Sequence, residues 1–359
     1  MRKIIAILLA LLAIALTGCS DSAPDPPAES EESIHVAEVS PDGVLELSPC
    51  DGVFIQAPFP EIHAVQPYTS TFREFSIEEI QEVFCEKDSV VRTEAAFNEI
   101  THFYELDSGE TVYIMPGMFS YDNMESETQK NLIGLSPSCL VDLEDEASKA
   151  WYENHLSTIA STLELPEICI DSVQEASAER LAEEQTNRME NDPSYRKHVE
   201  KGEFPYIDQW SDDDARVVVE FSFCIDEIPI LDTPFEMLDT TFVHELSGRA
   251  YYKEKELVSL DIGSGIPSQI LPTASQPVTP SLDDAIHAIR KKYSEIIFQN
   301  EITFHSLELL YMPIPNARNA LEITYMPVWK CQATQKSENG DWDLEITVYI
   351  HAITGEEIR

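Results

Sequence analysis

Behind Arg2 and Lys3 the chain opens on an unbroken apolar run, Ile4 to Leu16. A run of that length suits the core of a signal peptide and is too short to cross a bilayer as a mature helix. Ser20 to Ser33 has no aromatic residue, three prolines and a surplus of acids, which predicts a flexible, self-repelling tether. From Val44 helical and strand periods alternate. Ser76 and Glu79 form a capping-box pair, and with Ile77, Ile80 and Phe84 they predict a helix over 77–86. Asn98 to Met115 predicts a strand, an Asp107-Ser108-Gly109 turn and a second strand. Ala147, Trp151, Leu156, Ile159 and Leu163 share one helical stripe between Glu144 and Leu163. A further helix is predicted from Val173 to Met189, and the polar stretch 190–214 reads as a connection.

The second half of the chain is richer in strand patterns. Val217, Val219, Phe221, Phe223 and Ile225 alternate with mostly polar residues, as in an amphipathic strand. Thr240 to Leu246 and Arg249 to Ile262 read as a hairpin about Ser247-Gly248. Leu271 to Pro280, with three prolines, reads as a linker. Ser281 then caps a helix over 282–298, with Leu282, Ala285, Ile286, Ile289, Tyr293, Ile296 and Ile297 on one stripe. Strands follow at about 302–312, 320–333 and 343–353, the last two flanking the hairpin signal Asn339-Gly340. A helix on the apolar face of an antiparallel sheet buries both surfaces, so the expected class is α+β.

Composition narrows the function classes. The chain has 359 residues, 43% hydrophobic, enough for a sizeable core. Asp and Glu number 66 against 23 Lys and Arg, a formal charge of -43. Such a surface repels phosphate backbones, so no nucleic-acid partner is expected. Only 12 glycines argue against a glycine-rich nucleotide-binding enzyme. No cofactor is expected.

Leu16-Thr17-Gly18-Cys19 resembles the lipobox of bacterial lipoproteins: apolar, small, small, cysteine. The resemblance implies cleavage before Cys19 and a thioether-linked diacylglycerol on its sulfur. It places the protein on the extracytoplasmic face of the cell membrane, held by a lipid anchor. Beyond Cys19 stand Cys50, Cys85, Cys139, Cys169, Cys224 and Cys331, an even number that leaves fifteen disulfide pairings open. Strand parity puts Cys331 on a buried face with Ile323, Tyr325 and Trp329. It puts Cys224 on an exposed face with Glu220, Ser222 and Asp226, so these two cysteines are not expected to pair.

The C-terminal residues also resemble a family. The helix carrying "LDDAI", the strand ending "YMPVWKC" and the close "VYIHAITGEEI" are similar to PepSY-like domains. Pro327-Val328-Trp329 is similar to the corresponding step of YycH/YycI-type regulatory proteins. His351 departs from the acid usual at its position. The resemblance implies a helix on a three-stranded antiparallel sheet at 281–359, with 215–270 as a diverged second unit. Both would follow an α+β region at 44–202, a signal peptide at 1–18 and a tether at 19–43. It implies a regulatory or interaction protein that binds a sensor domain or peptidase outside the cytoplasm. The alternative is a solute- or cation-binding lipoprotein.

Candidate chemistry is sparse, and neither catalytic residues nor a metal site is expected. His244-Glu245 begins a zinc-protease motif, but the second histidine is replaced by Gly248 on what reads as a strand. Gly263-Ser264-Gly265 is half a nucleophile elbow with no helix after it. Asp208, Asp212, Asp213 and Asp214 lack the spacing of a calcium loop. His155 shares a helix face with Trp151 and Ile159 and reads as a packed core residue. Arg290, Lys291 and Lys292 form the lone basic triplet and read as a solvated helix end.

Overall fold

The computed structural model describes residues 43–358, apart from 86–89, 97–100, 124–137, 205, 238–239, 245, 264, 295, 297–299, 317–318 and 338–342. Cys19 and the Asn339-Gly340 turn therefore lie outside the described residues. β1 (Val44–Cys50) and β2 (Val53–Pro58) pair as a hairpin, followed by β3 (Tyr68–Thr71). α1 (Ile77–Phe84) starts where the Ser76 hydroxyl accepts the Glu79 N–H. The Glu79 carboxylate pairs with Arg73. β4 (Val90–Ala96), β5 (Thr101–Leu106), β6 (Thr111–Met115) and β7 (Met118–Asp122) form an antiparallel meander. Phe84 of α1 stacks on Tyr121 at 4.7 Å.

β8 (Val141–Asp142) and α2 (Glu146–Thr162) precede β9 (Glu167–Ala176), α3 (Ala178–Asn191) and α4 (Pro193–Glu200). The helix predicted from Val173 instead begins after Ser177, whose hydroxyl accepts the Arg180 N–H. Val173 to Ala176 pair with the neighbouring strand. The 190–214 connection contains α4 and a one-turn 3₁₀ helix at Asp212–Asp214. Asp192 caps α4 by accepting the Ser194 and Tyr195 N–H groups, and Pro193 takes the first position, where no N–H is needed. Tyr195 anchors α4 in a cluster with Cys139, Ala176 and Leu181.

β10 (Arg216–Ile225), β11 (Ile228–Pro229), β12 (Thr233–Met237), β13 (Thr240–His244), β14 (Ser247–Lys253) and β15 (Glu256–Ile262) follow. The hairpin expected about Ser247-Gly248 is not formed. β13 pairs with β12, whereas β14 begins at Ser247 and pairs with β10 and β15. The turn falls at Glu254-Lys255, with Glu254 at φ +52. Gly248 serves packing instead: a Cβ there would lie 2.2 Å from the Phe221 ring. After β16 (Leu271–Pro272), α5 (Leu282–Tyr293) ends earlier than the predicted 298, and Ile296 is exposed. β17 (Ile302–Asn316), β18 (Asn319–Gln335), β19 (Leu344–His351) and β20 (Glu357–Ile358) complete the chain.

The molecule is a mixed α+β protein with antiparallel-rich sheets and five α-helices among the described residues. A terminal sheet runs β1-β2-β17-β18-β19-β20, with β3 joining β18 to β16. A central sheet runs β4-β5-β6-β7-β15-β14-β10-β9-β8, with β11 on β10. Pairing crosses the expected boundaries: β9 from the 44–202 stretch pairs with β10, and β2 pairs with β17. One motif recurs, a helix followed by an antiparallel meander. It is built from α1 with β4–β7, from α2 with β9, β10, β14 and β15, and from α5 with β17–β19.

Three helices, α1, α2 and α5, lie on sheet faces. Under α5 lie Phe304 and Cys331, with the Tyr293 and Phe304 rings 6.0 Å apart. Under α2, Tyr152 meets Tyr252 at 4.9 Å. No helix among the described residues is long and apolar enough to cross a membrane.

Candidate functional site

Two sheets grown from different parts of the chain meet at the edge of β17, and the meeting is incomplete. β2 pairs in parallel with β17 only from Ile302 to Phe304. The next contact on that side is Tyr311, which bridges to Ile230 and accepts the Leu231 N–H at 2.8 Å. Between them a cavity of about 480 Å³ is lined by His305 to Leu310 on one wall. Pro58, Pro60, Glu61 and His63 form a second wall, and Glu227, Ile228 and Pro229 a third. A β-bulge between Phe304 and Ser306 marks where β2 is lost.

The third wall is a tight turn between β10 and β11 in which both Asp226 and Glu227 take positive φ, 51° and 67°. Such a turn favours Asn-Gly, so two acidic side chains here carry backbone strain. Packing holds it in place. The Tyr68 hydroxyl donates to the Asp226 carboxylate, and the Glu227 N–H donates to Glu167 at 3.3 Å. Burial first, and then the Asp226 carboxylate, pushes the Tyr68 phenol up from its usual range. Tyr311 packs edge-on against Tyr68 at 5.6 Å and donates to the Gln66 carbonyl. The Cys169–Cys224 disulfide ties β9 to β10 two residues before the turn. Cys224 is buried, against the parity expectation, at the end of β10 where its sulfur is bonded to Cys169.

A second cleft of about 480 Å³ opens on the central sheet, lined in part by Asp171, Glu220, Arg249, Tyr251 and Asp261. Burial raises the Asp261 carboxyl, with Asp122 adding to the effect and Arg249 opposing it. Burial likewise raises Asp171, whose carboxylate accepts the Ser222 hydroxyl at 3.0 Å. Glu220 accepts from Ser172 and pairs with Arg249. Asp171, Glu220 and Arg249 are thus partnered by Ser222, Ser172 and Tyr251, and Glu220 and Arg249 by each other.

The residues singled out by sequence stay apart. His155 stacks on Trp151 at 4.9 Å and faces the Tyr252 hydroxyl at 3.2 Å, and burial lowers its pKa, as a packed histidine requires. Asp214 is buried and accepts from the Ser211 N–H and hydroxyl. Among the described residues no group of three His, Cys, Asp or Glu is placed to hold a metal. Lys292 pairs with Glu357, while Lys291 lines a groove with His287 and the 354–357 turn. Glu245 and Ser264 lie outside the described residues. The cleft beside β17 escaped sequence reasoning because its walls, at 58–63, 227–229 and 305–310, come from three distant parts of the chain. The one local signal was the run of prolines at 58, 60 and 229.

No protein-family model and no curated protein matches the chain. Among solved structures it is similar to an uncharacterized protein from Eubacterium rectale ATCC 33656. That crystal structure aligns over 88% of this chain and 93% of its own, with a TM-score of 0.54 and 13% identity. Coverage that wide takes in both sheets, so the likeness is one of fold across the whole two-sheet body.

Proposed function

We propose that this protein is a lipid-anchored, extracytoplasmic regulatory or interaction protein that binds another surface or secreted protein. The cleft beside β17 carries the reading: an opening at the junction of two sheets, walled by a strained turn. The lipobox-like Leu16 to Cys19 and the acidic tether support an anchored protein that reaches outward. The helix-plus-meander of α5 and β17–β19 supports the PepSY-like resemblance of 281–359. In this reading the second such unit draws its helix from α2, ahead of 215–270. In-cell cross-linking followed by mass spectrometry tests the proposal. Capture of a membrane sensor or a secreted peptidase is the expected result, and no reproducible protein partner would sink it.

The second reading is a solute- or cation-binding lipoprotein, for which the central-sheet cleft supplies the volume. A ligand that binds only the folded state raises the melting point. A thermal-shift screen with calcium, sugars and peptides that stays flat removes this reading.

A further inference from the structure

We propose that the opening beside Leu307 and Leu309 is a strand-addition site that takes a short, extended, basic segment of the partner protein. The inference rests on the interaction reading above and names the chemistry of the partner. Six consecutive residues of β17, His305 to Leu310, line the cavity. Side chains of a strand alternate between faces, so an unbroken run of six presents the backbone edge itself. The Ile302 N–H donates to the Gly52 carbonyl, and the Tyr311 carbonyl accepts from Leu231. The backbone groups of both residues therefore point to this side. The bulge before Ser306 shifts the alternation by one residue, which turns the N–H and C=O groups of Leu307 and Leu309 toward the cavity.

No described strand pairs with 305–310 on this side. The neighbouring chain is unsuited to closing the gap, because Pro58, Pro60 and Pro229 have no N–H to offer a ladder. An open edge of this kind binds extended peptides through main-chain hydrogen bonds, with flanking pockets for alternate side chains. Ile228 and Pro229 flank the Leu309-Leu310 end, so at ~3.3 Å per residue the edge pairs with about four residues of a guest, whose ends overhang. Ile228, Leu307 and Leu309 supply apolar lining, and Glu61, Glu227 and Glu308 supply negative charge. Glu61 is almost fully exposed, and Lys330 is 4.0 Å from Glu308. With a formal charge of -43 on the whole chain, an acidic guest is repelled and a Lys- or Arg-bearing one is drawn in.

The test uses the full-length protein in detergent and a fluorescent hexapeptide of alternating Lys and Val. Two control peptides are needed, one with Glu for Lys and one with alternate backbone nitrogens methylated. The Lys-Val peptide is expected to bind by anisotropy and to slow hydrogen exchange at the Leu307 and Leu309 amides. The methylated peptide should bind at least about tenfold more weakly, a loss of about 1.4 kcal/mol. The Glu-Val peptide should not bind, and Glu308→Lys should weaken the Lys-Val peptide. Absent binding, equal binding of the methylated peptide, or binding without slowed exchange at 305–310 overturns the site. A partner cross-linked only through other surfaces overturns the site and leaves the interaction reading standing. Peptide binding as described with no partner captured in cells does the reverse.

Discussion

Most of β18 in the terminal sheet is covered on one face, whereas the start of β10 in the central sheet is covered on both, and that difference decides how well each can be read. In β18 the buried residues Ile323, Tyr325, Trp329, Cys331 and Ala333 alternate with the half-buried Thr324, Lys330, Gln332 and Thr334, a pattern broken at Pro327-Val328-Trp329, where all three are buried. One face lies under α5 and the other meets water, so period-two alternation is preserved over most of the strand. In β10, Val217, Val218 and Val219 are all buried in succession. α2 covers one face, while Val218 packs with Tyr251, Val258 and Leu140 on the other. Parity then stops reporting exposure; Cys224, bonded to Cys169 at the end of β10, was misplaced, and Cys331 was not. Alternation tells which face a residue takes; only the neighbours tell whether that face is wet.

The two sheets can be pulled apart experimentally. The largest effect is expected at Trp329, a fully buried side chain in the terminal sheet. Trp329→Ala should cost about 3–5 kcal/mol in urea unfolding. If the sheets unfold as one cooperative body, fluorescence and far-UV dichroism will shift together; separate transitions would show the sheets to be independent.

Next comes the covalent tie of the central sheet. Replacing Cys169 and Cys224 with serine should remove about 2–4 kcal/mol, and adding reductant to the parent protein should reproduce the loss. An unchanged melting point would mean that the β10–β11 turn needs no clamp.

Gly248→Ala should cost about 1–3 kcal/mol, because the Phe221 ring must move to admit a methyl group. If Gly248 were instead a turn residue, the cost would persist in a Phe221→Leu background. Relief there would confirm the packing role.

The smallest effect is a dependence on pH that both sheets share. Burial holds His155 and His351 below the usual histidine value of 6.5. His351 also accepts the Ile353 N–H at 3.1 Å through Nδ1, which requires the neutral ring. The unfolded chain therefore binds more protons as pH falls below about 6.5, and stability drops with it. Melting curves should decline from pH ~7 to pH ~5, and His155→Phe should remove part of that slope. A slope unchanged by the substitution would assign the effect elsewhere.

Much of the secondary structure was legible. Ser76 marked α1, the Leu282-Ala285-Ile286-Ile289-Tyr293 stripe marked α5, and period two marked β18 and β19. The misreadings have physical causes. Val173 to Ala176 suit a helix or a strand equally, and β10 chose the strand. Ser247-Gly248 has turn composition, but the glycine is there to admit a ring.

The order of most local elements, the Ser76-capped start of α1, the acidic balance and the amphipathic faces follow from the sequence alone, since each depends on residues within a few positions of one another. Ser281 precedes α5 but makes no side-chain cap. Tertiary structure decided which strands pair, that the first strands join the last in one sheet, that Cys169 meets Cys224, and that β17 keeps an open edge beside Leu307 and Leu309. Those outcomes depend on backbone hydrogen bonds between distant segments, and a backbone hydrogen bond is chemically the same whichever strand supplies it.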